Sequence, residues 1–197
     1  MKSQSNVDLL AILVGKDMAK GLGRKPLAEV FGFSRTRQMN FGEELASYVI
    51  HPAIGAAKEL LTRCFAERME SESVCLDSPG IMKEFMCSKI GHLEHECFWC
   101  LWMDSQARLI FADEIFRGTL TETSVYPREI VKQALSCNAS SVALVHNHPS
   151  GVCVPSQADK LLTTRLVSAL RLVDVKVFDH LVVAGNQCIS FAEMGLI

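Results

Sequence analysis

From residue 97 onward, short apolar runs alternate with turn residues and amphipathic stretches. Cys97–Met103 is unbroken apolar, Asp104-Ser105-Gln106 is turn-like, and Arg108–Ala112 returns, which predicts a hairpin. Glu114–Leu120 is expected to be extended. Pro127 opens a predicted helix with Ile130, Val131, Ala134 and Leu135 on its inner face. Ser141–Val145 is a short β-rich run that ends at His146. A helix is expected from Ser156, or just after it, to about Leu172, with Leu161, Leu162, Leu166, Ala169 and Leu170 facing the core. Val175–Phe178 and Leu181–Ala184 make one strand, broken or kinked at Asp179-His180, and Gln187–Phe191 is a last short strand. Upstream, Val74–Leu76 is a candidate strand. Ser78-Pro79 starts a helix, with serine as the cap and proline at the first helical position, that carries Ile81, Met82, Phe85 and Met86 inward and ends near Gly91. This order from residue 74 predicts an α/β fold, a three-layer α/β/α sandwich around a mixed sheet.

Residues 1–70 are expected to form a small helical region. A helix starts at Asn6-Val7-Asp8 and carries Leu9, Leu10, Ile12 and Leu13. Residues 16–40, rich in Gly, Lys and Arg, are expected to be loop with one short helix near Pro26–Phe31. A helix over Glu43–Val49 is broken by Pro52, and a second runs from about Ile54 to Met69. The charged stretch Glu67–Ser73 marks the boundary between the parts.

The chain has 197 residues, of which 49 % are apolar, enough for one domain with a small appendage. A net charge of −2 argues against a protein whose main business is wrapping nucleic acid. No apolar run reaches about 18 residues, so no membrane span is expected. The short apolar run Leu9–Val14 lies between Asp8 and Lys16-Asp17 and does not resemble a secretory signal. The eight cysteines sit mostly inside apolar runs and are expected to be reduced thiols of a cytoplasmic protein. Cys97-x-x-Cys100 falls in a predicted strand, where positions three apart point to opposite faces, and it has no partner pair to complete four ligands.

The candidate chemistry is concentrated in His146-Asn147-His148-Pro149-Ser150-Gly151 and Pro155-Ser156-Gln157-Ala158-Asp159. His146 and His148, two apart at a strand end, share a face. Pro149 and Gly151 turn the chain toward a helix whose first turn contains Asp159. Two imidazoles and a carboxylate suit Zn²⁺, with a fourth position left for water. Blander readings exist for the same residues: Ser156-x-x-Asp159 is close to a capping box, and a His-x-His pair can be a satisfied polar turn.

The spacing His-x-His-x7-Ser-x-x-Asp is similar to the JAMM motif of the MPN-domain metallopeptidases. The longer string resembles the RadC family within that group. Arg117-Gly118-Thr119, Tyr126-Pro127-Arg128-Glu129, Asp179-His180-Leu181 and the end Ser190-Phe191-Ala192-Glu193-x-Gly195-Leu196 extend the resemblance across roughly residues 74–197. It implies a JAB/MPN-like, cytidine-deaminase-like domain there, with zinc held by His146, His148 and Asp159. It implies a glutamate as general base, best matched by Glu96, with Glu94 and Glu114 as other choices, and Ser156 as a donor to the oxyanion. Arg117 and Arg128 could meet substrate or form surface ion pairs, and His180 could support the site or be a satisfied core histidine. The implied activity is zinc-dependent hydrolysis of a peptide or isopeptide bond in a peptide or protein substrate.

RadC proteins usually carry a helix-hairpin-helix module before this domain. Ile50-His51-Pro52-Ala53-Ile54-Gly55 occupies its place here, with Pro52-Ala53 where the first hairpin glycine is expected, so residues 1–70 read as a degenerate copy. The other function the resemblance implies is that of a DNA-associated repair accessory, with nucleic acid as partner of residues 1–70 and a metal site that is structural or acts on another bond.

Overall fold

The computed structural model describes residues 5–31, 51–71, 79–118 and 125–197. The chain divides into two compact units, Met1–Arg63 and Cys64–Ile197. In the first, α1 (Asn6–Val14) is capped by Ser5, which accepts from the Asp8 amide while the Asp8 carboxylate accepts from the Ser5 amide. Gly15, at φ 83°, ends it. Residues 16–22, expected as loop, instead form α2 (Lys16–Leu22), and α3 (Leu27–Val30) follows. The next helix, α4 (Pro52–Ser71), begins at Pro52, two residues before the expected start, because proline's missing N–H costs nothing in a first turn. Leu10, Ala19, Val30 and Ile54 form this unit's core. The expected helix over 43–49 and strand over 74–76 lie outside the described residues.

The second unit is α/β. It comprises α5 (Pro79–Ile90), β1 (Cys97–Met103), β2 (Leu109–Arg117), α6 (Pro127–Ser136), β3 (Ser141–Asn147), α7 (Gln157–Arg171), β4 (Lys176–Ala184) and β5 (Gln187–Ser190). The five strands form one mixed sheet in the order β2-β1-β3-β4-β5. Only β3 and β4, joined through α7, are parallel. The sheet is filled on both faces. Ile81, Met82, Phe85 and Met86 of α5 pack with Leu101, Val145 and Val183 on one side. On the other, Ile130 and Ala134 of α6 and Leu166 and Leu170 of α7 pack with Phe98, Trp102 and Leu144. Cys97 belongs to the first layer and Cys100 to the second, as strand parity requires.

Two expected inward side chains point out: Leu135 is 58 % exposed and Leu161 is 62 % exposed. On α6 the buried stripe narrows to Ile130 and Ala134, with Val131 half-buried. On α7 it includes Thr163, which hydropathy alone would not select. The expected interruption of β4 is a slip in register: Val142 pairs with Val177, but Ala143 pairs with Asp179, leaving Phe178 as an extra residue. Among the described residues, no helix is long and apolar enough to cross a membrane.

Leu144 is fully buried at the centre of β3. Leu144→Ala is expected to cost about 2–5 kcal/mol, read as a lower midpoint in urea unfolding at unchanged slope. Asp113 on β2 accepts a hydrogen bond from Trp102 Nε1 at 2.7 Å, yet burial pushes its carboxyl above the ordinary value of 3.8. A raised carboxyl favours the fold fully below the unfolded pKa and loses that contribution as pH rises through the folded one. Asp113→Asn, which keeps an acceptor for Trp102, is therefore expected to raise the melting temperature at pH 7. The gain should vanish as pH falls to about 3.8, and calorimetry across that range checks it.

Candidate metal centre

His146 is the sixth residue of β3, and its backbone pairs with Phe98 on one side and Val182 on the other. His148 follows just past the strand, its amide donating to the Val183 carbonyl at 2.7 Å. Strand alternation sends both rings to the face covered by α7 and sends Asn147 to the opposite face. Asn147 is almost wholly buried. Its Oδ1 accepts from the Cys97 amide at 2.8 Å and from Cys97 Sγ at 3.0 Å, while its Nδ2 donates to the His95 carbonyl at 3.0 Å. These bonds clip the start of β1 to the end of β3. Because the two strands are antiparallel, the residue entering β1, Glu96, arrives beside residues fifty positions later. Its carbonyl accepts from Gly118 N at 2.8 Å. A glutamate oxygen and one ring nitrogen from each of His146 and His148 lie within 4.8 Å of one another, a grouping that suggests a metal ion.

Asp159 enters from α7. Ser156 caps that helix: its Oγ accepts from the Asp159 amide at 3.1 Å, and its own amide donates to Asp159 Oδ2 at 2.6 Å. The capping box therefore exists, and it aims the carboxylate at the imidazoles. His146 Nε2 lies 3.3 Å from Asp159 Oδ1, His148 Nε2 lies 3.5 Å from Oδ2, and the two Nε2 atoms are 3.0 Å apart. Burial opposes the charge of Asp159, but the two imidazoles outweigh it, and the carboxyl stays ionised far below the usual range. The same carboxylate raises His148 above its ordinary value of 6.5, against the pull of burial. Behind the pair, His148 Nδ1 faces the Val152 carbonyl at 2.8 Å, and His146 Nδ1 faces His180 Nε2 at 2.9 Å. Burial between Phe98 and Phe191 drives His180 well below the usual imidazole value.

Of the residues singled out in the sequence, His146, His148, Asp159 and Glu96 come together, and Ser156 sits at their edge. The other candidate bases do not join them. Glu94 is exposed, and Glu114 is held by Arg117 through Nε–Oε1 and Nη2–Oε2 contacts of 2.5 and 3.0 Å. Arg128 and Glu129 form an exposed ion pair at 3.7 Å. Sequence reasoning missed Asn147 and Thr163. Parity supplied a signal for the first, since a polar residue between two site-facing histidines must point into the sheet's other layer.

Residues 76–196 match the RadC-like JAB domain family. A UPF0758 protein of Ectopseudomonas mendocina is 40 % identical over 203 aligned positions, covering 97 % of this chain and 88 % of that one. A UPF0758 protein of Pseudoalteromonas translucida is 39 % identical, covering 100 % of this chain and 91 % of its own. A third, from Polaromonas sp. strain JS666, is 51 % identical over 142 residues, covering 72 % of this chain and 63 % of that protein's length. The chain belongs to the RadC family, and its second unit carries that family's JAB domain.

Proposed function

We propose that this chain is a zinc-dependent hydrolase that cleaves a peptide or isopeptide bond, with His146, His148 and Asp159 as the protein ligands of the ion. The observation that carries the reading is the set of three contacts, 3.0, 3.3 and 3.5 Å, that joins two ring nitrogens to each other and each to one oxygen of the same carboxylate. Ligands 2.0–2.1 Å from a tetrahedral ion sit about 3.3 Å apart, so the donor set fits with little rearrangement. Two nitrogens and one carboxylate also match the donor preference of zinc at a catalytic site with one open position. When bound, the ion supplies Lewis-acid polarisation and lowers the pKa of water toward neutrality.

The remaining chemistry belongs to side chains. Glu96, half-buried beside the imidazoles, takes a proton from the attacking water and returns it to the leaving amine. Ser156 uses an oxygen lone pair in the helix cap, which leaves its hydroxyl proton available to the oxygen that gains charge. Capping and oxyanion binding thus do not compete for the same part of the group.

Purified protein is expected to hold about one zinc per chain by elemental analysis, the one-ion stoichiometry of a mononuclear site. His148→Ala is expected to lose that metal; full retention would remove His148 from the ligand set. Glu96→Gln is expected to keep zinc but lose turnover of a peptide or isopeptide reporter by about 10²–10⁴-fold, and unchanged turnover would move the base elsewhere. Chelation is expected to abolish turnover, with recovery on adding zinc back.

A further inference from the structure

We propose that Thr163 and His180 are positioning residues that fix the tautomer of His146 and so keep its Nε2 lone pair free for the metal, an inference that rests on the ligand assignment above. Four groups stand in a chain, the Asp159 carbonyl, Thr163, His180 and His146, and each hydrogen position along it fixes the next. Thr163 Oγ1 lies 2.6 Å from the Asp159 backbone carbonyl and 2.6 Å from His180 Nδ1. A hydroxyl has one proton, and a carbonyl oxygen can only accept. At 2.6 Å two oxygens without a proton between them repel, so the hydroxyl donates to Asp159 O and offers His180 a lone pair. His180 Nδ1 must then be the protonated nitrogen.

An imidazole fully buried against two phenylalanine rings carries no charge and hence a single N–H, so His180 Nε2 is left as an acceptor. It faces His146 Nδ1 at 2.9 Å, and that contact is a hydrogen bond only if His146 Nδ1 bears the proton. His146 Nε2 is thereby bare and points at His148 Nε2 and Asp159. No solvent can reassign the sequence at its centre. His180 is 0 % exposed, with Phe98 at its edge and Phe191 over its ring at a 4.7 Å centroid distance. Asp159 is used twice: its side chain faces the metal position, and its main-chain carbonyl, through Thr163 and His180, dictates how the other buried ligand presents itself.

The reverse arrangement shows what the hydroxyl does. Without an acceptor at Thr163, His180 is free to carry its proton on Nε2, toward His146. His146 would then hold its own proton on Nε2, where the ion must bind. Ligand histidines usually take their orientation from a partner on the second nitrogen, and loss of that partner weakens metal binding by about 10–100-fold.

The test compares full-length wild type, Thr163→Val, which removes the hydroxyl at nearly constant shape, and Thr163→Ser, which restores it. Zinc affinity is measured by chelator competition, and imidazole tautomers by nitrogen-15 NMR of the metal-free chains. Thr163→Val is expected to bind zinc about 10–100-fold more weakly and to show proton density on His146 Nε2, with Thr163→Ser close to wild type in both. Equal zinc affinity in wild type and Thr163→Val overturns the inference, as does a wild-type spectrum with the proton on His146 Nε2. If Thr163→Val fails to fold, the wild-type spectrum alone decides. If wild type binds no zinc, the proposed function fails, while the spectrum still judges the tautomer assignment separately.

Discussion

Strand β3 has an antiparallel neighbour on one side and a parallel neighbour on the other, and the site is built from that pairing. The antiparallel partner, β1, begins where β3 ends, so Glu96 meets His146 and His148 despite fifty intervening residues. The parallel partner, β4, requires a crossover, which α7 provides, and the start of that helix returns to the end of β3 with Asp159 in its first turn. Both layers of core exist to hold these strands in register, because a one-residue slip would turn the histidines to the wrong face.

The site concentrates groups that would otherwise be costly together. Two imidazole nitrogens and a carboxylate approach to within 3.5 Å, all three side chains largely buried. Such an arrangement is tolerable because each group is restrained by something cheap and local. Helix capping restrains Asp159, a loop carbonyl restrains His148, and His180 restrains His146. The raised proton affinity of His148 and the depressed one of Asp159 have a common origin: positive charge is wanted at this point. A proton and a metal cation are alternative ways to supply it.

Much of this was legible in the chain. The apolar run Cys97–Met103 gave β1 to the residue, and the His146, His148 and Asp159 spacing identified the groups that meet. The capping-box reading of Ser156-x-x-Asp159, weighed as a rival to ligation, turned out to be the geometry that aims the carboxylate. What escaped was decided by contacts between distant segments. Thr163 is polar and sits in an otherwise aliphatic helical stripe, and it is buried against His180, seventeen residues later on strand β4. Leu135 and Leu161 fit the helical period, but the layer beneath each helix is satisfied by fewer residues than the period offers. Residues 16–22 lack clear periodicity, yet they form a helix whose buried Ala19 joins the small first core.

The extra residue at Phe178 sets the phase of everything after it in β4. Before the bulge, odd-numbered Val177 faces α7; after it, odd-numbered Leu181 and Val183 face α5. An uninterrupted strand would have turned Asp179 toward the histidines and sent His180 to the other layer. Asp179 instead accepts from Ser190 Oγ and the Ala192 amide at 2.5 and 3.0 Å, which ties down the C-terminal turn. Ironing out the bulge with Phe178 kept in the ladder would exchange a carboxyl group and an imidazole across the sheet, disarming both ends of the strand without touching either residue.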